Sequence, residues 1–369
     1  MIALLIAGTA LTINAQEETK KKKGFELPQW VKNIKLSGYG MLQYQAEDKE
    51  GGKHNEFNLR LMRLILDGKI GDFDWRAQVQ GSSNAGPGNP TVMLVDLYAE
   101  WVKYKEFRVR AGQFKRAFTF ENPTHPITQG WYSYAMVINN LSGFGDRSGE
   151  KSSGGRDIGV QIQGDLFPTA SGRRILHYQV GVYNGEGINQ KDNDNQKDFI
   201  GGVWVMPFDG FRIGAFGWTG TRGKMIVGTY TDNGVAVNNV ASVRKNRYAL
   251  SAEYDKNEYT FRAEYIHSQG LGTREVNSKV IDYSLGDKAD GWYVFGIVPV
   301  IKSKLHAKAR YQTYRPSKEW STSKTMYEIG LNYFFNKNIQ MNFEYGRVND
   351  RSIAKHNYNF VDLELDFRF

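Results

Sequence analysis

Cations recur at every second position in several stretches of this sequence. Lys304, His306, Lys308 and Arg310 alternate with Leu305, Ala307, Ala309 and Tyr311. Arg108 and Arg110 alternate with Phe107, Val109 and Ala111, Arg212 with Phe211 and Ile213, Arg247 with Tyr248, and Arg262 with Phe261. Arg60 is opposite in phase to Phe57, Leu59 and Leu61, and Arg76 falls on the polar face of its segment. Side chains alternate sides along a strand, so these charges form ladders with a rung roughly every 7 Å. Such a ladder replaces the hydration an anion loses in a narrow space, and it repels cations. Arg adds a planar fork suited to phosphate, whereas Lys acts as a point charge. Arg63 breaks the phase, which calls for a β-bulge near it or a place at a rim. Carboxylates share the polar faces, among them Asp96, Glu100, Glu253, Glu264, Glu328, Glu344, Asp362, Glu364 and Asp366. The blander alternative is therefore that cations and carboxylates cancel and hold the fold in shape. The reading favours a net preference for anions, and replacing Arg108 and Arg110 with Gln is expected to reduce it.

The elements that would carry these ladders are strands. Alternating segments fall at 34–46, 56–70, 72–82, 91–103, 105–114, 156–167, 175–185, 197–207, 210–220, 246–255, 258–269, 289–300, 303–315, 324–335, 338–348 and 358–369. That is sixteen, an even number, each long enough to cross a bilayer at a tilt. Every second spacer is a tight turn, as at Ile70-Gly71-Asp72, Phe208-Asp209-Gly210 and Asn336-Lys337-Asn338. The spacers between are long and polar, as at 47–55, 114–155, 186–196, 221–245, 270–288 and 349–357. This sorting of short and long connections is the signature of an outer-membrane barrel. The opposite faces are apolar: Phe73, Trp75, Ala77 and Val79; Ile158, Val160 and Ile162; Tyr259, Phe261, Ala263 and Tyr265; Ile339, Met341, Phe343 and Tyr345. The last segment puts Val361, Leu363, Leu365, Phe367 and Phe369 on one face and Asp362, Glu364, Asp366 and Arg368 on the other. The fold class expected is all-β, a sixteen-stranded antiparallel transmembrane barrel closed by pairing the last strand with the first. No apolar run is long enough for a transmembrane helix.

The long spacer 114–155 holds Trp131, Tyr132, Tyr134 and Phe144, which would not stay in solvent. Folding into the barrel as a constriction loop solves that, and it makes Lys115, Arg116 and Arg147 candidates for the narrowest point. Residues 1–15 are small and apolar and read as a signal peptide with cleavage after Ala15, although no Lys or Arg precedes the apolar stretch. Residues 16–33 read as a flexible basic periplasmic arm, and 34–369 as the barrel. The net charge is +9, yet an exported chain with no nucleic-acid motif is not expected to bind nucleic acid. With no Cys and 6 scattered His, the sequence offers no thiol chemistry, no metal spacing and no Ser/His constellation. No catalytic residue, metal or cofactor is expected, and the protein is not expected to be an enzyme.

Asp96-Leu97-Tyr98-Ala99-Glu100-Trp101, then Phe107 to Phe118 with Arg-Ala-Gly-Gln-Phe-Lys at 110–115, then Glu121-Asn122-Pro123, resemble the phosphate-selective porin family, porins O and P. Leu36-Ser37-Gly38-Tyr39-Gly40 and Leu66-Asp67-Gly68-Lys69-Ile70 are similar as well. The resemblance implies a trimeric, sixteen-stranded outer-membrane porin with a lumenal Arg ladder and a Lys-bearing constriction. It implies passive uptake of small anions, phosphate or polyphosphate in some members. The anion-binding, pore-lining set expected on this basis is Arg60, Arg76, Arg108, Arg110, Lys115, Arg116, Arg212, Arg262, Lys308 and Arg310. The alternatives are a general, weakly selective porin and a non-conducting structural barrel. The latter would show itself by apolar clusters filling the lumen.

Overall fold

The computed structural model describes residues 34–52, 55–81, 92–150, 154–270, 272, 274–276, 280–282 and 286–369. The expected signal segment and basic arm lie outside the described residues. The strands are β1 (Lys35–Glu47), β2 (Asn55–Ile70), β3 (Phe73–Gly81), β4 (Val92–Trp101), β5 (Arg108–Lys115), β6 (Arg156–Pro168), β7 (Arg174–Tyr183), β8 (Asp198–Val205) and β9 (Phe211–Asp232), then β10 (Val235–Lys256), β11 (Tyr259–Gln269), β12 (Arg274–Val276), β13 (Val280–Asp282), β14 (Lys288–Ile301), β15 (Leu305–Arg315), β16 (Lys324–Asn336), β17 (Ile339–Asp350) and β18 (Asn357–Arg368). Sixteen of them close an antiparallel barrel in chain order, and β12 and β13 form a separate two-stranded sheet.

Closure runs along β1 and β18, from Tyr39 opposite Arg368 to Glu47 opposite Phe360. At its end Gly38 and Phe369 exchange two backbone hydrogen bonds of 3.0 Å. The Phe369 ring covers Gly38 so closely that a Cβ there would lie 2.6 Å from Cζ. Phe367 covers Gly40 in the same way. Among the described residues the closed barrel leaves no sheet edge to face lipid, where unpaired backbone groups would cost several kcal/mol each.

The outward face is apolar, with Leu363, Leu365, Phe343, Ile329 and Val160 exposed. Near the long loops it carries a belt of touching rings, with centroids 6.0 Å apart for Tyr248 and Tyr265, 4.9 Å for Trp292 and Tyr311, and 5.1 Å for Tyr311 and Tyr327. Amphipathic rings suit the boundary between hydrocarbon and headgroups.

Two spacers read as polar loops contain more strand than expected. Residues 221–245 continue β9 and β10 into one long hairpin, in which Asp232 pairs with Val235. Asn233 and Gly234 make its turn with φ of 48° and 80°, the left-handed pair that an Asn-Gly hairpin requires. Within 270–288 the short strands β12 and β13 pair. The interior also departs from expectation. Inward positions of β8, β9, β11 and β14 include Ile200, Phe216, Trp218, Ile266, Tyr293 and Phe295, all buried in one apolar cluster. Their partners are Phe118, Phe120, Trp131 and Ile138 of the segment after β5. An apolar loop needs an apolar wall to dock on, so this side of the barrel gives up its polar pattern.

Candidate functional site: a cationic passage beside an inward-folded loop

The segment after β5 packs mainly against the inward faces of β8 to β17. Its base is closed by a 2.8 Å hydrogen bond from Arg116 N–H to the Gly155 carbonyl. Phe118 and Phe120 insert edge-on among Trp218, Trp204 and Phe216, with centroids 5.4 to 5.5 Å apart. The backbone N–H groups of Phe120 and Glu121 donate to Glu264 at 2.6 and 3.1 Å, and that of Tyr132 to Glu344 at 2.7 Å. Helix α1 (Met136–Leu141) follows, and the Met136 N–H donates to Gln312 at 2.7 Å. Cations of the wall grip loop carbonyls: Lys308 takes Gly130 at 2.6 Å, Arg310 takes Ser133 at 2.9 Å and Arg247 takes Leu141 at 2.9 Å. Wall carboxylates thus bind loop donors, and wall cations bind loop acceptors. Each buried charge is hydrogen-bonded, which burial in a low dielectric demands.

The loop covers the opposite wall, β2 to β6, less: Ile127 packs there with Tyr39, Met41 and Ile65, and cavities remain between loop and wall. Lys115 ends β5 there. Its ammonium donates to the carbonyls of Asn122 and Thr124 at 2.7 and 2.9 Å and to the Tyr134 hydroxyl at 3.1 Å. Arg63 donates through Nε to Gln80 at 2.9 Å, while its buried Nη1 has no acceptor. Arg156 holds Asp96 with two bonds of 2.6 and 3.0 Å. Two cavities meet at these three residues. One of about 340 Å³ opens toward the short turns and is also lined by Arg76, Arg110 and Arg212. The other, of about 350 Å³, opens toward the long loops and is also lined by Arg60. Arg63, Lys115 and Arg156 line both. A third cavity of about 460 Å³ shares Ser133, Tyr134 and Asn139 with the second.

His125 reports on the field at this point. Burial, and then the nearby charges of Arg63, Lys115, Arg76 and Arg156, push its imidazole down to about 3. It is therefore neutral at physiological pH, its ring 4.5 Å from that of Tyr39. A protonated imidazole would add a further positive charge to an already cationic space.

The ten cations singled out in the sequence divide by partner. Arg60 pairs with Glu364 at 2.6 Å, Arg76 with Asp67 at 2.7 Å, Arg108 with Asp165 at 2.8 Å and Arg110 with Glu100 at 2.6 Å. Arg116, fully buried, pairs with Glu150 at 2.6 Å, and Arg212 with Glu253 at 2.6 Å. Arg262 also pairs with Glu253, Lys308 with Glu344 at 2.6 Å, and Arg310 with Glu328 at 2.7 Å. Among the described residues, Lys115 is the member of this set with no carboxylate in ion-pair range. Lys304, read as a rung, instead lies in the turn before β15, and His306 bonds Glu258 at 3.0 Å. Sequence reasoning did not place Arg63 and Arg156 in the set. Arg63 gave a signal through its broken phase; Arg156, at a strand end, gave none.

A sixteen-stranded barrel with an apolar outer belt and a charged passage beside an inward loop defines an outer-membrane porin. The chain belongs to the phosphate-selective porin O and P family, whose model matches residues 37–263. No match was found among curated proteins. Among solved structures the fold is similar to the anion-selective porin from Comamonas acidovorans, at 11% identity and TM-score 0.62, covering 91% of this chain and 99% of that one. It is similar to OmpT of Vibrio cholerae in its trimer form, at 15% identity and TM-score 0.58, covering 91% and 100%. It is also similar to the outer membrane channel DcaP of Acinetobacter baumannii, at 12% identity and TM-score 0.57, covering 92% and 98%.

Proposed function

We propose that this porin passes small anionic solutes, phosphate and polyphosphate among them, by diffusion, and that the loop 114–155 sets the constriction. The observation that carries this reading is the meeting of two cavities at Arg63, Lys115 and Arg156. Two of those cations have no carboxylate partner among the described residues, and one keeps a buried N–H without an acceptor. A solute anion can satisfy that donor while it crosses. Lys115 is already held by neutral oxygens, so it offers charge without binding too tightly to release. The loop docks mainly on the β8 to β17 wall and leaves cavities along the β2 to β6 wall, which this reading takes as the passage. This supports a conducting barrel over a filled structural one, despite the apolar cluster in the lumen.

A weakly selective general porin is the second reading. It is favoured by the carboxylates that pair with nine of the ten ladder cations, Glu253 serving both Arg212 and Arg262, which reduce the net charge along the pore. Assembly as a homotrimer in outer-membrane lipid is part of the same proposal and rests on the family. Single-channel recording in planar bilayers tests it. Phosphate should block chloride current in the wild type, and Lys115→Gln should weaken the block at least tenfold. Equal block in both proteins would remove Lys115 from the site.

A further inference from the structure

The cavity nearest the long loops differs in chemistry from the two cationic ones. Its cationic side chains, Arg310 and Lys324, lie beside Glu328 at 2.7 Å and Asp350 at 3.9 Å. Glu47 and Glu56 add carboxylates to its lining. An inorganic anion gains little there, because both cations already have a carboxylate beside them. The rest of the lining is apolar and neutral polar. Tyr132, Met136 and Phe360 give an apolar surface, and Gln45 and Gln312 give amides.

The apolar surface is braced at two points. Tyr132 is fixed by its N–H bond to Glu344, and its ring sits 5.3 Å from that of Phe360 at a tilt of 58°. Phe360 is seated on Gly346, where a Cβ would come within 2.0 Å of the ring. An aromatic surface bordered by polar side chains suits a ring with an apolar C–H face and a rim of hydroxyl groups. The volume of about 460 Å³ falls within the range of small-molecule sites, about 300–1,000 Å³.

We propose that this cavity is a binding site for a pyranose-type ring, and that the favoured solutes are sugars bearing an anionic group. The proposal rests on the anion-channel reading for its anionic half. The two chambers adjoin, since Ser133, Tyr134 and Asn139 line both this cavity and the next, and the Tyr134 hydroxyl touches Lys115. A sugar phosphate can therefore rest its ring on Tyr132 while its charged group faces the passage leading to Lys115.

The test is current interruption in planar bilayers with three probes: glucose 6-phosphate, glucose and inorganic phosphate. In the wild type, glucose 6-phosphate should interrupt current at a concentration at least tenfold below that of either other probe. Tyr132→Ala should abolish this advantage, and Phe360→Leu should reduce it; the second change keeps the test available if the first disturbs folding. Equal potency of glucose 6-phosphate and phosphate, or an advantage that survives both substitutions, would overturn the ring site. If the wild type shows no anion preference in potassium chloride, the anion reading falls separately. Glucose interruption that Tyr132→Ala removes would then still support the ring site, and its absence would overturn it.

Discussion

Arg60 and Arg63 stand three positions apart on β2, yet both face the interior. The pairing with β1 passes from Met41 opposite Leu61 to Leu42 opposite Leu59, so Arg60 is the extra residue of a bulge. The bulge resets the alternation between them. Arg60 then reaches Glu364 on β18, while Arg63 reaches the passage shared with Lys115. One is neutralised and the other is not. Arg63→Gln should lower the chloride-over-potassium permeability ratio severalfold, with little change in barrel stability. Arg60→Gln should release Glu364 and lower the melting temperature as well. Bilayer reversal potentials and thermal unfolding in detergent separate the two, and equal stability losses would contradict the distinction.

The clamp on the loop has its own consequence. Arg310 is enclosed between Glu328 and the Ser133 carbonyl, with the Trp131 ring 4.4 Å away. Removing one member of a buried ion pair leaves the other unmatched, at a cost of about 3–5 kcal/mol. Arg310→Gln should loosen the loop, giving noisier openings and a larger mean single-channel conductance. Unchanged noise and conductance would show that the loop is held without this contact.

The seam makes a prediction about Gly38 and Gly40. A methyl at Gly40 meets the Phe367 ring at 2.4 Å, and a side chain can move away. A methyl at Gly38 meets both the Phe369 ring at 2.6 Å and the Arg63 carbonyl at 2.7 Å, and the backbone cannot yield as easily. Gly38→Ala should therefore cost more than Gly40→Ala, about 1–3 kcal/mol, by the usual measure of overpacking. Heat modifiability on gels ranks the pair, and a reversed order would contradict the account.

His125 predicts a dependence on acid. Its pKa is depressed to about 3 in the fold, below the ordinary value of 6.5. The unfolded chain therefore binds a proton that the folded chain refuses. The contribution to stability is full above pH 6.5 and is lost progressively as the pH falls toward 3. His125→Gln lacks this loss. Its melting temperature relative to wild type should rise between pH 7 and pH 4, and a constant difference would contradict the assignment.

The barrel was legible because period-two alternation and the rhythm of short and long spacers are local signals. The long hairpin was missed because the polar composition of 221–245 outweighed Asn233-Gly234, a two-residue turn that marks a strand pair. The site was legible in part. Alternation finds which residues face inward, but it cannot tell which cations meet a carboxylate from a distant strand. Arg310 with Glu328 and Arg60 with Glu364 are matches of register and tilt, set by closure of the whole sheet. The separation of clamping cations from passage cations follows from which wall the loop covers, and that choice is made by aromatic residues such as Trp218 and Phe295, whose inward direction breaks the polar pattern.

The measurement that bears most directly on the central claim is the reversal potential of the reconstituted protein under a potassium chloride gradient, for the wild type and for Arg63→Gln combined with Lys115→Gln. Chloride preference is expected in the wild type, and its loss, or inversion toward potassium, in the double variant, because the other lumenal cations of the set are paired with carboxylates, Arg212 and Arg262 sharing Glu253. A wild type without anion preference, or a double variant that keeps it, would contradict the claim that these two cations set the selectivity of the pore.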